Sequence, residues 1–432
     1  MNRRKYALDL LTRWEAGEEY INLTIGRAAE QVGDDDRRYL TALLYGTVEK
    51  CITLDYYIGV LAKRSNLDPT TRNILRLGLY ELLYMHTPHH AVVNDIVSLG
   101  RNKGERGFLN GTLRAALRAP EVLVPPPYDK NPARHLSVKY SLPTSTVRLL
   151  SHILGEETQA FLEAVNAPHP LTIRVNTLRL SREEYLSHLA EKGIAATPTP
   201  FAPHGVTLDT SYPPKSLPGF EDGWFYVQDE ASQIAVDALS PKVGSTLIDL
   251  CACPGGKSFG SALSMENKGQ VMSYDIHASK LSLICDGAAR LGLTCITVGE
   301  GDATTPDETL FGTGDYVICD VPCSGLGVLG KKADLRYKDT RVAEELPPLQ
   351  RSILEAGANC LAEGGTLLYS TCTINPQENE GVTEAFLALH PEFEYVPFSV
   401  GALNAPKGHI TLYPHIHATD GFYIAKLQRR RQ

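Results

Sequence analysis

The sequence predicts a multidomain chain with an all-α N-terminal domain, a small α+β subdomain and a C-terminal α/β domain built on a parallel sheet. Three observations carry this prediction. The 432 residues exceed what a single core usually organises. Up to residue 120 the apolar residues keep helical spacing with no alternating strand pattern. From residue 224 onward, short apolar runs alternate with helical segments, the texture of βαβ units around a sheet buried on both faces.

In the first domain, Leu40, Leu43, Leu44, Val48 and Cys51 form one apolar stripe, and Leu109, Leu113, Ala116 and Leu117 form a second. Asp68-Pro69 is a helix start, an N-cap followed by proline at the first helical position. The prolines at 120, 125, 126 and 127 forbid a continuing helix and mark a linker, taken as residues 121–133. Residues 134–220 mix the two periodicities. The stretch 172–177 is rich in β-branched residues, and Ser181 with Glu184 makes a capping box for a helix that Gly193 can close. Beyond residue 221, strands are expected at 246–250, 270–274, 316–319 and 366–369.

Net charge is −8, from 42 Lys plus Arg against 50 Asp plus Glu, which excludes a protein that coats polyanions indiscriminately. Residues 1–120 nevertheless carry a net charge of +3, with the remainder at −11, so basic character is concentrated in the helical part. A further local run, 331–341, holds five basic and two acidic residues. No apolar run reaches membrane-spanning length, and Met1-Asn2-Arg3-Arg4-Lys5 opens an amphipathic stretch; neither secretion nor a membrane is expected. The cysteines are nine, an odd number in so long a chain, and reduced thiols are expected.

In open α/β sheets ligands bind beyond the carboxyl ends of the strands, and three motifs fall there. The first is Cys251-Ala252-Cys253-Pro254-Gly255-Gly256-Lys257, where a strand enters a tight glycine turn and a helix opens with unpaired backbone N–H groups. It has neither G-x-G-x-x-G spacing nor that of a phosphate-binding P-loop. The next strand end brings Asp275, placed to accept hydrogen bonds from ribose hydroxyls. A nucleoside cofactor without pyrophosphate fits, and S-adenosylmethionine is such a molecule. Cys251 and Cys253 lack the partner pair that a zinc site needs, so no metal is expected. The second motif is Asp320-Val321-Pro322-Cys323-Ser324-Gly325 and the third is Tyr369-Ser370-Thr371-Cys372-Thr373. Two thiols at neighbouring strand ends form a disulfide, pack as small apolar groups, or serve as a nucleophile with a helper; beside a cofactor loop the thiolate role is favoured. Carbon 5 of cytosine takes a methyl group only after a thiolate adds to carbon 6. An acid such as Asp320 would stabilise charge at the N3 edge.

Together these motifs resemble the RNA cytosine-C5 methyltransferase family, whose signature is a Cys-Ala-Ala-Pro-Gly-Gly-Lys loop, an Asp-x-Pro-Cys-Ser-Gly strand end and a Thr-Cys strand end. Arg174-Val175-Asn176 and residues 227–233 match further family segments. The helical part resembles the NusB-like RNA-binding domain in residues 89–94 and 108–114, and the pairing resembles the bacterial enzymes that act on 16S rRNA. The resemblance implies a Rossmann-like catalytic domain over 221–432 and a NusB-like domain over 1–120. It implies Cys372 as nucleophile and Cys323 as the thiol that helps release product, an order that spacing does not supply. It further implies that 251–257 holds the methionine part of S-adenosylmethionine, Asp275 the ribose, Asp302 the adenine side, and Asp320 the methyl-transfer region and the base. Lys257 is a candidate for lowering a nearby thiol's pKa. Cys253 replaces the family's usual alanine, and the 331–336 loop lacks the usual Pro-Asp. A cytoplasmic monomer acting on RNA is expected. The competing readings are a non-catalytic RNA-binding adaptor, which would not need the thiols, and a methyltransferase for another RNA such as tRNA. Arg114 and Arg118, four apart on one helix, either contact phosphate or form a solvated face.

Overall fold

The computed structural model describes residues 3–18, 21, 33–63, 66–208 and 212–431, apart from the side chains of 34 and 35. Met1 and Asn2 of the opening pentapeptide lie outside the described residues. The chain divides into two compact units, Met1–Asn166 with Leu329–Asp339, and Ala167–Val328 with Thr340–Gln432. No helix among the described residues is long and apolar enough to cross a membrane.

The first unit is helical. Helices Arg3–Glu15, Asp34–Glu49, Cys51–Ala62, Pro69–Tyr84, His89–Ser98 and Lys103–Arg118 bury a shared core of leucine, valine and isoleucine. Asp68 caps the Pro69–Tyr84 helix by accepting from the Thr71 N–H at 3.2 Å. Leu40, Leu43, Leu44 and Val48 are buried as their spacing predicts, but the stripe crosses a break at Lys50, and Cys51 opens the next helix. Arg114 and Arg118 are exposed on the Lys103–Arg118 helix, with Arg114 Nε donating to Asn110 Oδ1 at 2.9 Å.

Residues 134–166, assigned to the α+β subdomain, form helices Pro132–Tyr140, Thr144–Leu154 and Thr158–Asn166 and fall in the first unit. Helical spacing alone does not say which core a short helix joins; that depends on what its apolar face packs against. Residues 331–339 of the basic run belong to the helical unit, where Arg336 is buried while Lys332 and Lys338 stay exposed. Ala333 is in its core, and Trp14 Nε1 donates to Asp334 Oδ1 at 2.9 Å. Arg336, 1% exposed, donates to the carbonyls of Leu329 (3.0 Å) and Tyr140 (2.9 Å) and to Asn166 Oδ1 (2.9 Å).

The second unit carries two sheets. The smaller is antiparallel, with β1 (Leu171–Val175), β2 (Ala196–Pro198), β3 (Gly205–Leu208) and β4 (Phe225–Val227) in the order β2-β3-β1-β4. The Ser181–Glu184 capping box opens helix Arg182–Glu191 as expected. The larger sheet contains β5 (Thr246–Asp249), β6 (Gln270–Asp275), β7 (Ile296–Glu300), β8 (Gly314–Asp320), β9 (Leu361–Thr371), β10 (Phe393–Tyr395), β13 (His409–Leu412) and β14 (Phe422–Arg429). β11 (Phe398–Val400) and β12 (Leu403–Ala405) make a separate ribbon. The order is β10-β14-β9-β8-β5-β6-β7; the run β9-β8-β5-β6-β7 is parallel and β14 is antiparallel to β9. The winding reverses between β5 and β8, the topological switch point where such sheets bind ligands.

The two sheets are joined by the other motif segments. Arg174 Nη2 meets Asp237 Oδ1 at 2.6 Å, and Gln233 Nε2 donates to the carbonyls of Ile173 and Gln228. Asn176 Nδ2 bridges the carbonyls of Gly223 and Leu291. All three side chains are buried, so these segments act as a structural seam.

Candidate active site

Four successive parallel strands deliver an acid at or just past their carboxyl ends: Asp249 from β5, Asp275 from β6, Asp302 after β7 and Asp320 from β8. Asp275 faces the glycine turn, its two oxygens accepting from the N–H groups of Cys253 (3.1 Å) and His277 (3.0 Å). Asp302 accepts from Thr304 N–H at 2.8 Å and Thr304 Oγ1 at 2.7 Å, and these bonds hold its carboxyl below the ordinary carboxylate range. A concave cleft beside it is lined by Leu250, Tyr274, Pro306 and Leu310 together with three acids, Glu300, Asp302 and Asp307.

The turn at 251–257 is built as its glycines predict. Gly255 has φ 106°, and a Cβ there would come within 2.4 Å of Phe259, so only glycine fits. Helix Gly256–Ser264 then begins, presenting its first N–H groups at the switch point. Lys257 reaches across the switch point to Asp320, with Nζ 2.6 Å from Oδ2, and lies over the Phe422 ring. Ser370 Oγ donates to the other Asp320 oxygen at 2.6 Å. Lys257 is thus paired with the Asp320 carboxylate. Burial pushes the Cys251 thiol well up and that of Cys253 up to about 12.

The thiols converge because β8 and β9 are parallel neighbours in register, with Asp320 opposite Ser370. The chains continue together past the strand ends: Val321 N–H donates to Ser370 O and Gly327 N–H to Cys372 O, both at 3.1 Å. This brings Cys323 Sγ within 3.1 Å of Cys372 Sγ, both reduced and partly accessible. The hydrogen bond to Cys372, burial and the neighbouring Glu378 charge all push the Cys323 thiol well up.

Sequence reasoning missed two acids. Asp249, 1% exposed, accepts from Ser258 Oγ at 2.7 Å through one oxygen; its other oxygen is buried without a hydrogen-bond partner. Burial raises its carboxyl to about 7, a rise that the Ser258 bond opposes and the Asp320 charge reinforces. Glu378 is fully buried beneath both thiol loops. Its signal was the polar run 375–380 directly after the Thr-Cys motif, too polar for a strand and too dense in Asn and Glu for an ordinary loop. Among the described residues no group of His, Cys, Asp or Glu is placed to hold a metal ion.

Fold and site together define the class: a Rossmann-like methyltransferase joined to a NusB-type helical domain. Family models match in the same order along the chain, the NusB family over residues 1–118, the ferredoxin-like domain of RsmF/B-like methyltransferases over 142–214, and 16S rRNA methyltransferase RsmB/F over 236–428. The chain belongs to the RsmB/F methyltransferase family. It is 36% identical over 450 residues to the probable ribosomal RNA small subunit methyltransferase B of Synechocystis sp., covering 99% of this chain and 100% of that one. A protein of the same description from Bacillus subtilis is 34% identical, covering 99% and 98%. The crystal structure of PH0851 matches with a TM-score of 0.80 at 28% identity over 99% of both chains.

Proposed function

We propose that this protein methylates carbon 5 of a cytosine in 16S rRNA, with S-adenosylmethionine as methyl donor and Cys372 as the nucleophile that adds to carbon 6. The observation that carries the reading is the pair of reduced thiols 3.1 Å apart beside the Lys257–Asp320 pair at the switch point. Amino-group methylation would need no thiol. Family membership and the relatives' descriptions support small-subunit rRNA as the substrate.

The chain's residues fit the donor. Four acids line the strand ends, one with an unpartnered buried oxygen, and suit a molecule that carries positive charge. The helix N-terminus at Gly256 suits its carboxylate. When bound, S-adenosylmethionine supplies an electrophilic methyl group. The 251–257 turn would hold the methionine part, Asp275 the ribose hydroxyls, and Asp302 with its cleft the adenine. Cys372 forms a bond to carbon 6, and the resulting enamine makes carbon 5 nucleophilic. As negative charge develops along the N3 edge, a proton passes to N3 from the Lys257–Asp320 pair, with Asp320 held against the base by Lys257 and Ser370. After transfer water takes the carbon 5 proton, the 5,6 double bond re-forms as the carbon 6–sulfur bond breaks, and Cys323 beside it stabilises the departing Cys372 thiolate by hydrogen bonding. The base is unstacked to admit the thiolate.

Mass mapping of 16S rRNA from cells lacking the protein tests the substrate; a full complement of methylcytosine there overturns it. Cys372→Ala is expected to lower transfer by more than about a hundredfold, with S-adenosylmethionine affinity within about twofold of wild type. Wild-type turnover by that variant removes the nucleophile assignment.

A further inference from the structure

Glu378 accepts four hydrogen bonds: from Ser324 N–H (2.8 Å), Ser324 Oγ (2.5 Å), Gln350 Nε2 (3.0 Å) and Asn375 Nδ2 (3.1 Å). Its own carbonyl accepts from Tyr369 OH at 2.6 Å. Ser324 directly follows Cys323, and Thr373 directly follows Cys372; their hydroxyls are 2.8 Å apart. Because Ser324 Oγ donates to the carboxylate, the Thr373 hydroxyl donates to Ser324. Gln350 also donates to Pro322 O at 2.9 Å, on the other side of Cys323. One carboxylate thus holds both thiol loops through the residues adjoining each sulfur. An acid this deeply buried is costly unless fully hydrogen-bonded, and this one is.

We propose that Glu378 is a positioning residue of the reaction, holding the Cys323 and Cys372 loops against each other and, by its charge, assigning different roles to two chemically alike thiols. The proposal rests on the thiol mechanism above. The groups facing Cys323 are Cys372 just past β9, Tyr369 from β9, Glu378 from the following loop and, opposing the others, the backbone N–H of Gly325. The hydrogen bond with Cys372 and burial disfavour a negative charge on Cys323, and the Glu378 charge adds to them. Cys323 therefore keeps its proton and can donate to the Cys372 sulfur, leaving Cys372 to carry the thiolate that attacks. Spacing along the chain offers no such distinction.

The test is alkylation of the full-length protein with iodoacetamide across pH 6–10, with mass spectrometry quantifying Cys323 and Cys372 separately. In wild type, Cys372 is expected to label about tenfold faster than Cys323 near pH 8. Glu378→Gln, which keeps the shape and removes the charge, is expected to move the Cys323 midpoint down by about 1 pH unit and to shrink the difference to about threefold. Faster labelling of Cys323 in wild type overturns the proposal. So do unchanged midpoints in an E378Q protein that melts and binds S-adenosylmethionine like wild type. If E378Q does not fold, wild-type labelling is read together with Ser324→Ala, which keeps the charge and cuts the hydroxyl bridge. Diamide-driven Cys323–Cys372 cross-linking should slow about threefold or more in S324A, and an unchanged rate overturns the positioning role. Labelling needs no RNA, so an error in the substrate or in the methyl-transfer reading leaves this result intact.

Discussion

Asp249 shows how strongly position outweighs residue type in this site. Its carboxyl lies at about 7, above the ordinary 3.8, chiefly because burial disfavours the charged form. The native chain therefore keeps a proton that the unfolded chain has lost, and stability falls as pH rises from about 4 to about 7, then levels. Asp249→Asn removes this dependence, so its stability relative to wild type should improve by roughly 2 kcal/mol between pH 5 and pH 8. Parallel denaturant titrations at the two pH values check this, and a constant difference contradicts it. Cys323→Ala should trap a covalent RNA adduct, visible as a slow band on a denaturing gel; its absence counts against a release role. At this scale the thiols, the glycine turn, Asp275 and Asp320 could be picked out as candidates because each stands at an expected strand end, whereas Asp302 came only from the family resemblance. Glu378 and Asp249 could not be picked out, since an acid reads as solvated until its burial is known.

At the scale of elements, strand ends do the positioning. Parallel strands β5, β6, β8 and β9 were legible as apolar runs because both faces are covered, whereas β10 to β14 lie beyond the last expected strand and were not anticipated. The glycine turn depends on one backbone conformation. Gly255→Ala meets both a positive φ and the Phe259 ring, and should cost about 2 kcal/mol and weaken S-adenosylmethionine binding at least about fivefold. Calorimetric titration and melting measure the two effects; an alanine variant that binds and melts like wild type would falsify the role given to this turn. Past β8, Gly327 approaches Gly421 so closely that a Cβ would lie 1.8 Å from the Gly421 carbonyl oxygen, and Gly421 N–H donates back at 2.9 Å. That close approach helps hold the chain between Cys323 and its departure at Val328.

For the molecule as a whole, the decisive feature is that the chain leaves the catalytic unit at Val328, five residues after Cys323, completes the helical unit and returns at Thr340. Arg336 satisfies three acceptors there, and its burial lowers its pKa. Arg336→Ala leaves those groups without a donor and should destabilise the helical unit by about 3 kcal/mol. Hydrogen exchange would then rise across residues 33–166 while strands β5 to β9 stay protected; unchanged exchange in the helices refutes the structural role of this segment. The charge distribution changes meaning accordingly. Arg4 is paired with Glu81 and Asp95, Arg76 with Asp55 and Glu15, and Arg336 is buried, so part of the basic excess is internal wiring rather than an RNA-facing surface.

The sequence by itself determined the classes of fold, the order of helical, mixed and α/β regions, and the three strand-end motifs, because periodicity and turn chemistry are local properties. Only the tertiary structure decided that two thiols 49 residues apart meet at 3.1 Å, that Lys257 pairs with Asp320, that one buried carboxylate underlies both thiol loops, and that Arg336 of the basic run is buried in the helical unit. Each of these depends on long-range register and on burial. Burial turns the same charged side chain from a solvated surface group into a structural or chemical one.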